Sequence, residues 1–317
     1  MYTTIFIYET YFQKSIIDHL IEKEEVNTAN TLIVDATNHK LKIEGEVFNV
    51  NFNKIRMLYS SIKGVRALKK KNISCETLVS THITGLNALF LSAFLKATKK
   101  ILIDDGIGTP VLIQNQNIFK RKLKWQIRFL ITKFLLFLNE IQIKSIRNTL
   151  SSIDQYFTVY KIKDDLELPF PVYSLNFYEN KFKTKLERVC FIGSPLLDFN
   201  LCDKASYKEL LLSIKEKYGE YKYYLHPNEQ IALSFKIKGI EFIKLPNGIE
   251  KFFYENDVPG LVIGFTSSVL LNLSSSKYIN VRPQFRYINM EVYGPRYDKY
   301  YYEALEENNI LNSGLYI

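Results

Sequence analysis

Cysteine is scarce in this 317-residue chain: Cys75, Cys190 and Cys202 are the whole complement, and no two stand in a CxxC or other zinc-ligand spacing. That excludes a disulfide framework and leads us to expect a reducing, cytoplasmic setting. Glycine (13) and proline (9) are too few for a collagen-like or low-complexity chain. The opening residues, MYTTIFIYET, lack a basic stretch, and Glu9 interrupts their apolar run, so no signal peptide is expected. Long apolar spans are missing too. The windows 77–95 and 258–276 carry no charge, but each contains glycine and several Ser/Thr, the pattern of strand, turn and helix inside a core.

What is present is an ordinary globular composition, 47% hydrophobic and 24% charged. At roughly 150 residues per domain the length predicts two domains, each large enough to bury a core. The net charge of +9 is local. Between Lys120 and Arg147 eight Lys/Arg face only Glu140, which gives +7 there and leaves +2 for the rest of the chain. No helix-turn-helix, RRM or zinc-finger pattern accompanies that charge, so no nucleic-acid partner is expected.

Short β-rich runs alternate with helical patterns, the mark of α/β architecture with parallel sheets. Strands are expected at 3–8, 31–35, 76–80, 100–103, 156–162, 188–192, 221–225, 241–245 and 261–265. Helices are expected at 12–24, 52–70, 85–96, 207–218, 249–256, 267–273 and 297–307. A proline-containing stretch at 163–176 reads as the crossing between domains, which places an N-terminal domain at 1–165 and a C-terminal one at 166–317. Two doubly wound, Rossmann-like domains facing a cleft follow, with ligands bound outside the carboxyl ends of strands.

Three constellations stand at such strand ends. After 100–103 come Asp104, Asp105 and Gly106; a carboxylate there suits a general base or an oxygen ligand to a metal, and equally a plain Asp-Gly turn. After 221–225 come His226, Pro227, Asn228 and Glu229, a proline-locked histidine suited to a phosphate. After 261–265 come Thr266, Ser267 and Ser268, opening a helix. Capping accounts for one hydroxyl, and three in a row point to an anion. A fourth turn, Gly193-Ser194-Pro195, could approach a donor closely. His82, followed by Thr84-Gly85, reads as a local hydrogen-bonder.

In this order and spacing, the Asp-Asp-Gly, His-Pro and Ser-Ser elements resemble the short motifs shared by bacterial sialyltransferases of the GT-B fold. The best match is glycosyltransferase family 52, the lipooligosaccharide and capsular-polysaccharide group, with the polysialyltransferases as relatives. The motifs cover about a tenth of the chain. The resemblance implies inverting, metal-independent transfer of sialic acid from CMP-sialic acid to a sugar hydroxyl, usually on galactose. It implies His226 as acid toward the departing phosphate, with Ser267 and Ser268 hydrogen-bonding that phosphate. Pro227, Asn228, Glu229, Gly193, Ser194 and Thr266 complete the donor side. The implied base is Asp105 or Asp104, or Asp198 of the C-terminal half, and it needs no cofactor.

The segment 119–147 reads as one basic, amphipathic helix, with apolar positions 127, 130, 134, 138 and 141 along one face. It suits either an anionic membrane surface or burial in a homodimer. The resemblance favours peripheral attachment at the inner face of the cell membrane, near a lipid-linked acceptor. Two other functions stay open at this point: transfer from another nucleotide sugar, with Asp104-Asp105 holding a metal, and a non-catalytic lipid- or nucleic-acid-binding protein. Dependence on EDTA discriminates the first, and salt-sensitive binding the second.

Overall fold

The computed structural model describes residues 1–8, 10–35, 45–49, 73–81, 96–104, 109, 113, 152–160, 168–175, 185–246, 248–256, 258–265, 267–274 and 279–284. The chain divides into two units, Met1–Leu175 and Asn176–Ile317. The expected helices at 52–70, 119–147 and 297–307 lie outside the described residues.

The first unit is a seven-stranded parallel sheet of β1 (Tyr2–Tyr8), β2 (Thr31–Asp35), β3 (Glu46–Asn49), β4 (Ser74–Ser80), β5 (Lys96–Ile103), β6 (Gln155–Thr158) and β7 (Val172–Ser174). Their order is β3-β2-β1-β4-β5-β6-β7. Ile5, Phe6, Ile7 and Tyr8 are buried without a break along β1, as expected of a parallel strand covered on both faces. Helix α1 (Tyr11–Glu22) follows β1 and is started by a capping box. Thr10 Oγ1 accepts from Gln13 N–H (3.2 Å), and Gln13 Oε1 accepts from Thr10 N–H (3.1 Å). Residues Phe12 to Asp18 and Leu20 are all buried, with Phe12, Ile16, Ile17 and Leu20 forming the apolar stripe at helical spacing.

Three sequence expectations need correction in this unit. The strand expected at 156–162 stops at Thr158, because the next backbone N–H, that of Val159, donates to the Asp104 carboxylate (2.7 Å) instead of to a ladder. Residue Lys96, expected to end a helix, begins β5, held by its pairing with Ser74 of β4. Strand β7 pairs with β6 (Tyr156↔Val172), so the first unit runs ten residues past the expected boundary at 165.

The second unit is a five-stranded parallel sheet of β8 (Lys185–Ile192), β9 (Tyr221–Tyr224), β10 (Ile240–Ile243), β11 (Pro259–Gly264) and β12 (Asn280–Pro283), ordered β10-β9-β8-β11-β12. Helix α2 (Lys204–Tyr218) joins β8 to β9, α3 (Ile249–Glu255) precedes β11, and α4 (Ser268–Ser274) joins β11 to β12. Asp203 caps α2 by accepting Ser206 N–H (2.8 Å). One face of the sheet packs against α2 through aromatic rings. Phe191 stacks on Tyr223 with ring centroids 5.1 Å apart, Phe265 meets Phe191 edge-on at 5.4 Å, and Tyr207 of α2 lies 5.0 Å from Phe265. Fully burying a ring of this size stabilises by roughly 1.5–3 kcal/mol, before any gain from ring geometry.

Both sheets have the Rossmann strand order, the α/β class with two doubly wound units that the sequence predicts. In each, the chain leaves a central strand toward one side and later returns to pair on its other side. That switch point falls between β1 and β4 in the first unit and between β8 and β11 in the second.

Candidate functional site

At the second switch point β8 ends at Ile192 and β11 at Gly264, paired in register. A Cβ on Gly264 would lie 2.9 Å from the Ile192 carbonyl oxygen, closer than side chains tolerate, so glycine is what lets the two strand ends meet. The loop leaving β8 begins with Gly193, whose N–H donates to Tyr224 O (2.8 Å) of β9. Loops after β8, β9 and β11 therefore converge on one edge, carrying Gly193-Ser194, His226-Pro227-Asn228-Glu229 and Ser267-Ser268 respectively.

His226 heads a turn with Pro227 in its second position, closed by Glu229 N–H donating to His226 O (2.9 Å). Asn228 N–H donates to His226 Nδ1 (3.1 Å). An Nδ1 that accepts is unprotonated, so the neutral ring carries its hydrogen on Nε2, an atom with no hydrogen bond among the described residues. Burial holds the imidazole below its usual pKa of 6.5, so the ring is neutral at pH 7. Pro227 and Asn228 are exposed on the rim.

Glu229 is the surprise. It is fully buried, and its Oε1 accepts from Tyr223 OH (2.5 Å) and Tyr207 OH (2.9 Å), while Oε2 accepts from His226 N–H (3.1 Å). The two phenols also touch each other. Burial raises the carboxyl to a pKa of about 7 against the lowering effect of these bonds. Glu229 thus sits beneath the site instead of facing a ligand. Tyr207 and Tyr223 read from the sequence only as helix and strand residues; no local pattern announces that they converge on one carboxylate.

The hydroxyls divide. Ser267 Oγ accepts Val269 N–H (3.2 Å) and its carbonyl accepts Leu270 N–H (3.1 Å), so it is a helix cap. Ser268 and Ser194 are half-buried and make no side-chain hydrogen bond among the described residues. Thr266 lies outside them. Asp198 reaches from the β8 loop to Gln230 N–H, which it meets with both oxygens (3.3 and 3.2 Å).

In the first unit Asp104 follows β5 and is fully buried. Its Oδ1 accepts from Tyr156 OH and its Oδ2 from Val159 N–H (2.7 Å), so it ties β5 to β6 and is not placed to meet an incoming hydroxyl. Asp105 and His82 lie outside the described residues. Thr81, at the end of β4 and fully buried, leaves its Oγ1 without a partner there. No cluster of three or more His, Cys, Asp or Glu that could hold a metal occurs among the described residues. No described helix is long and apolar enough to cross a membrane. A cavity of about 790 Å³ lies at the opposite, amino ends of the second unit's strands, lined by Tyr218, Glu220, Lys222 and Glu241 among others. It belongs to neither switch point.

No protein-family model matches the chain, and no curated protein matches it. Among solved structures it is similar to a 2,6-sialyltransferase from Photobacterium sp. JT-ISH-224, solved with CMP and lactose, at 14% identity and TM-score 0.49 over 99% of this chain and 78% of that one. It is also similar to the GT-B domain of a sialyltransferase from Photobacterium damselae, at 11% identity and TM-score 0.49 over 88% and 90%. A UDP-GlcNAc 2-epimerase from Methanocaldococcus jannaschii gives 11% identity and TM-score 0.45 over 86% and 80%. At these identities and scores, no substrate of theirs carries over to this chain.

Proposed function

We propose that the chain is an inverting glycosyltransferase that moves sialic acid from CMP-sialic acid to a sugar hydroxyl, with galactose as the acceptor sugar that the motif resemblance implies. The observation that supports this most is His226. It stands at the end of β9, next to the switch point, with Nδ1 engaged by Asn228 and Nε2–H left for a ligand. An anionic phosphate arriving there opposes the effect of burial and favours the imidazolium, and the ring takes that proton on Nδ1 by giving up the Asn228 N–H contact.

In this reading the acceptor oxygen attacks the anomeric carbon as a carboxylate takes its proton. The bond from that carbon to the phosphate oxygen breaks, and Nε2–H of His226 protonates or hydrogen-bonds the leaving group. Ser268 and Ser194 supply hydroxyl donors to the phosphate, and Ser267 and Thr266 remain donor-side residues of the same proposal. Asp105 is the proposed base, because Asp104 beside it is buried and engaged. Asp198 is second. One phosphate met by an imidazolium and hydroxyls requires no metal for charge balance. Contact of 119–147 with anionic lipid at the inner membrane face belongs to the same proposal.

The test is CMP release from CMP-sialic acid, with and without a galactoside, in EDTA, for wild type and His226→Ala. Acceptor-dependent release that survives EDTA and collapses in the variant supports the reading. A wild-type chain that releases no CMP but turns over another nucleotide sugar overturns the sialyl donor.

A further inference from the structure

We propose that Glu229 is a positioning residue for His226, fixing the imidazole against the loop after β8 through a buried tripod made with Tyr207 and Tyr223. The inference rests on the reading of His226 given above and adds what holds that residue in place.

The geometry is specific. Apart from Nε2, His226 has three polar atoms, and all are engaged within its own turn: N–H by Glu229 Oε2 (3.1 Å), the carbonyl by Glu229 N–H (2.9 Å) and Nδ1 by Asn228 N–H (3.1 Å). Glu229 supplies two of the three. The same Oε2 meets the neighbouring loop, since a Cβ on Gly193 would lie only 2.1 Å from it. One carboxyl oxygen is therefore wedged between the His226 backbone and the start of the β8 loop, and glycine at 193 is what makes room for it. The adjoining pair, Asp198 with Gln230 N–H, ties the same two loops one residue further on.

Proton counting explains how such a carboxyl stays buried with no cation paired to it among the described residues. Three contacts join Glu229 Oε1, Tyr207 OH and Tyr223 OH. Two phenols supply two protons, so an ionised carboxylate leaves one contact without any. A protonated carboxyl completes a closed ring of three donors and three acceptors. The tripod is then a neutral, fully satisfied unit that needs no solvent, and a buried network of this kind rigidifies what it touches. Glutamine keeps the contact to His226, its carbonyl oxygen accepting from His226 N–H, while its amide donates to both phenols and leaves one phenol proton without an acceptor.

The experiment uses the full chain with ¹⁵N-labelled histidine, in wild type, Glu229→Gln, Glu229→Ala and Gly193→Ala, with the His226 ring signals assigned by their loss in His226→Gln. Wild type and Glu229→Gln are expected to show a fixed Nε2–H tautomer, and Glu229→Ala ring shifts averaged between tautomers. In parallel, kcat for CMP release falls at least tenfold in Glu229→Ala with KM changed less than threefold, and Glu229→Gln stays within threefold of wild type in both. A folded Glu229→Ala with the wild-type ring signature overturns the proposal. Should that variant not fold, Gly193→Ala, whose methyl displaces Oε2, is read in its place by the same criteria. A wild-type chain without CMP release sinks the transferase reading instead, and the tautomer signals still decide the role of Glu229.

Discussion

Replacing Glu229 by Gln is expected to make the second unit progressively more stable relative to wild type as pH rises. The carboxyl titrates near pH 7 in the folded chain against an ordinary 4.5. Below pH 4.5 both folded and unfolded states hold the proton, and the residue costs nothing. Between 4.5 and 7 the unfolded state loses its proton while the folded one keeps it, so stability falls as pH rises; above 7 the full cost persists. A gap of about 2.5 pH units corresponds to roughly 3 kcal/mol. Glutamine removes the titration but brings a fourth proton to three contacts, so one phenol O–H lacks an acceptor at every pH, at about 1–3 kcal/mol. The melting temperature of Glu229→Gln minus that of wild type should therefore be negative at pH 4.5 and rise toward pH 7.5. For a unit of about 150 residues that rise reaches roughly 6–12 °C. Scanning calorimetry from pH 4.5 to 8.5 reads it, with the second unit's transition identified by its shift. His226 contributes in the opposite sense: its pKa is lowered, so stability is lost as pH falls below 6.5. That contribution is common to both proteins and cancels in the difference. A difference between the two proteins that does not rise with pH would refute the proton count.

Other expectations follow from the same coordinates. His226→Ala should lower the transfer rate by about 10²–10⁴-fold without unfolding the chain, checked by CMP release and circular dichroism. CMP should bind more weakly as pH rises toward and through neutrality, because burial holds the free ring's pKa down and binding must add a proton to it, and calorimetric titration of His226→Ala should show that slope removed. Asp104→Asn should act on stability, costing about 1–3 kcal/mol through Tyr156 and Val159, whereas Asp105→Asn should leave the melting temperature within about 2 °C and abolish transfer. Gly264→Ala should destabilise by about 1–3 kcal/mol, since its methyl meets the Ile192 carbonyl; a denaturation midpoint equal to wild type would show that β8 and β11 can part.

Much of the fold is legible in the sequence where strands are central. β1 and β2 are central strands that read as β-branched or aromatic runs, and β4, β8 and β11 carry shorter buried runs at Leu78–Val79, Cys190–Ile192 and Val262–Ile263. The strands that sequence reasoning misses, β3, β7 and β12, all lie at sheet edges and have three or four residues each. One of them ends in Pro283, which an edge accepts because its missing N–H has no ladder to serve. The site is half legible. His226 and the glycine turns announce themselves by position after a strand. Asp104 and Glu229 do not, because the sequence offers a carboxylate near a strand end and only packing decides whether it faces a ligand or the core. Tyr207 lies 22 residues from Glu229, and their meeting depends on how α2 crosses β9.

The strand order of the second sheet also sets a sequence of assembly. β8 gains its neighbour β9 about 30 residues on, but its other neighbour, β11, comes much later: Val189 pairs with Leu261, 72 positions away. At about 5–20 residues per second of synthesis, β8 waits roughly 4–15 s with one side open. Its exposed edge is Val189 to Ile192, an apolar stretch whose unpaired backbone could recruit another chain during that interval. The switch point, with Gly193 on one side and Gly264 on the other, thus closes after β9 and β10 are in place, with β12 still to be added. A translational pause or a truncation before residue 261 would leave a half-sheet with His226 already in its turn but no second wall to work against. Yield on expression should accordingly respond to slowed synthesis between 193 and 261, and to a similar degree between β1 and β4, where Thr4 waits 73 positions for Thr77.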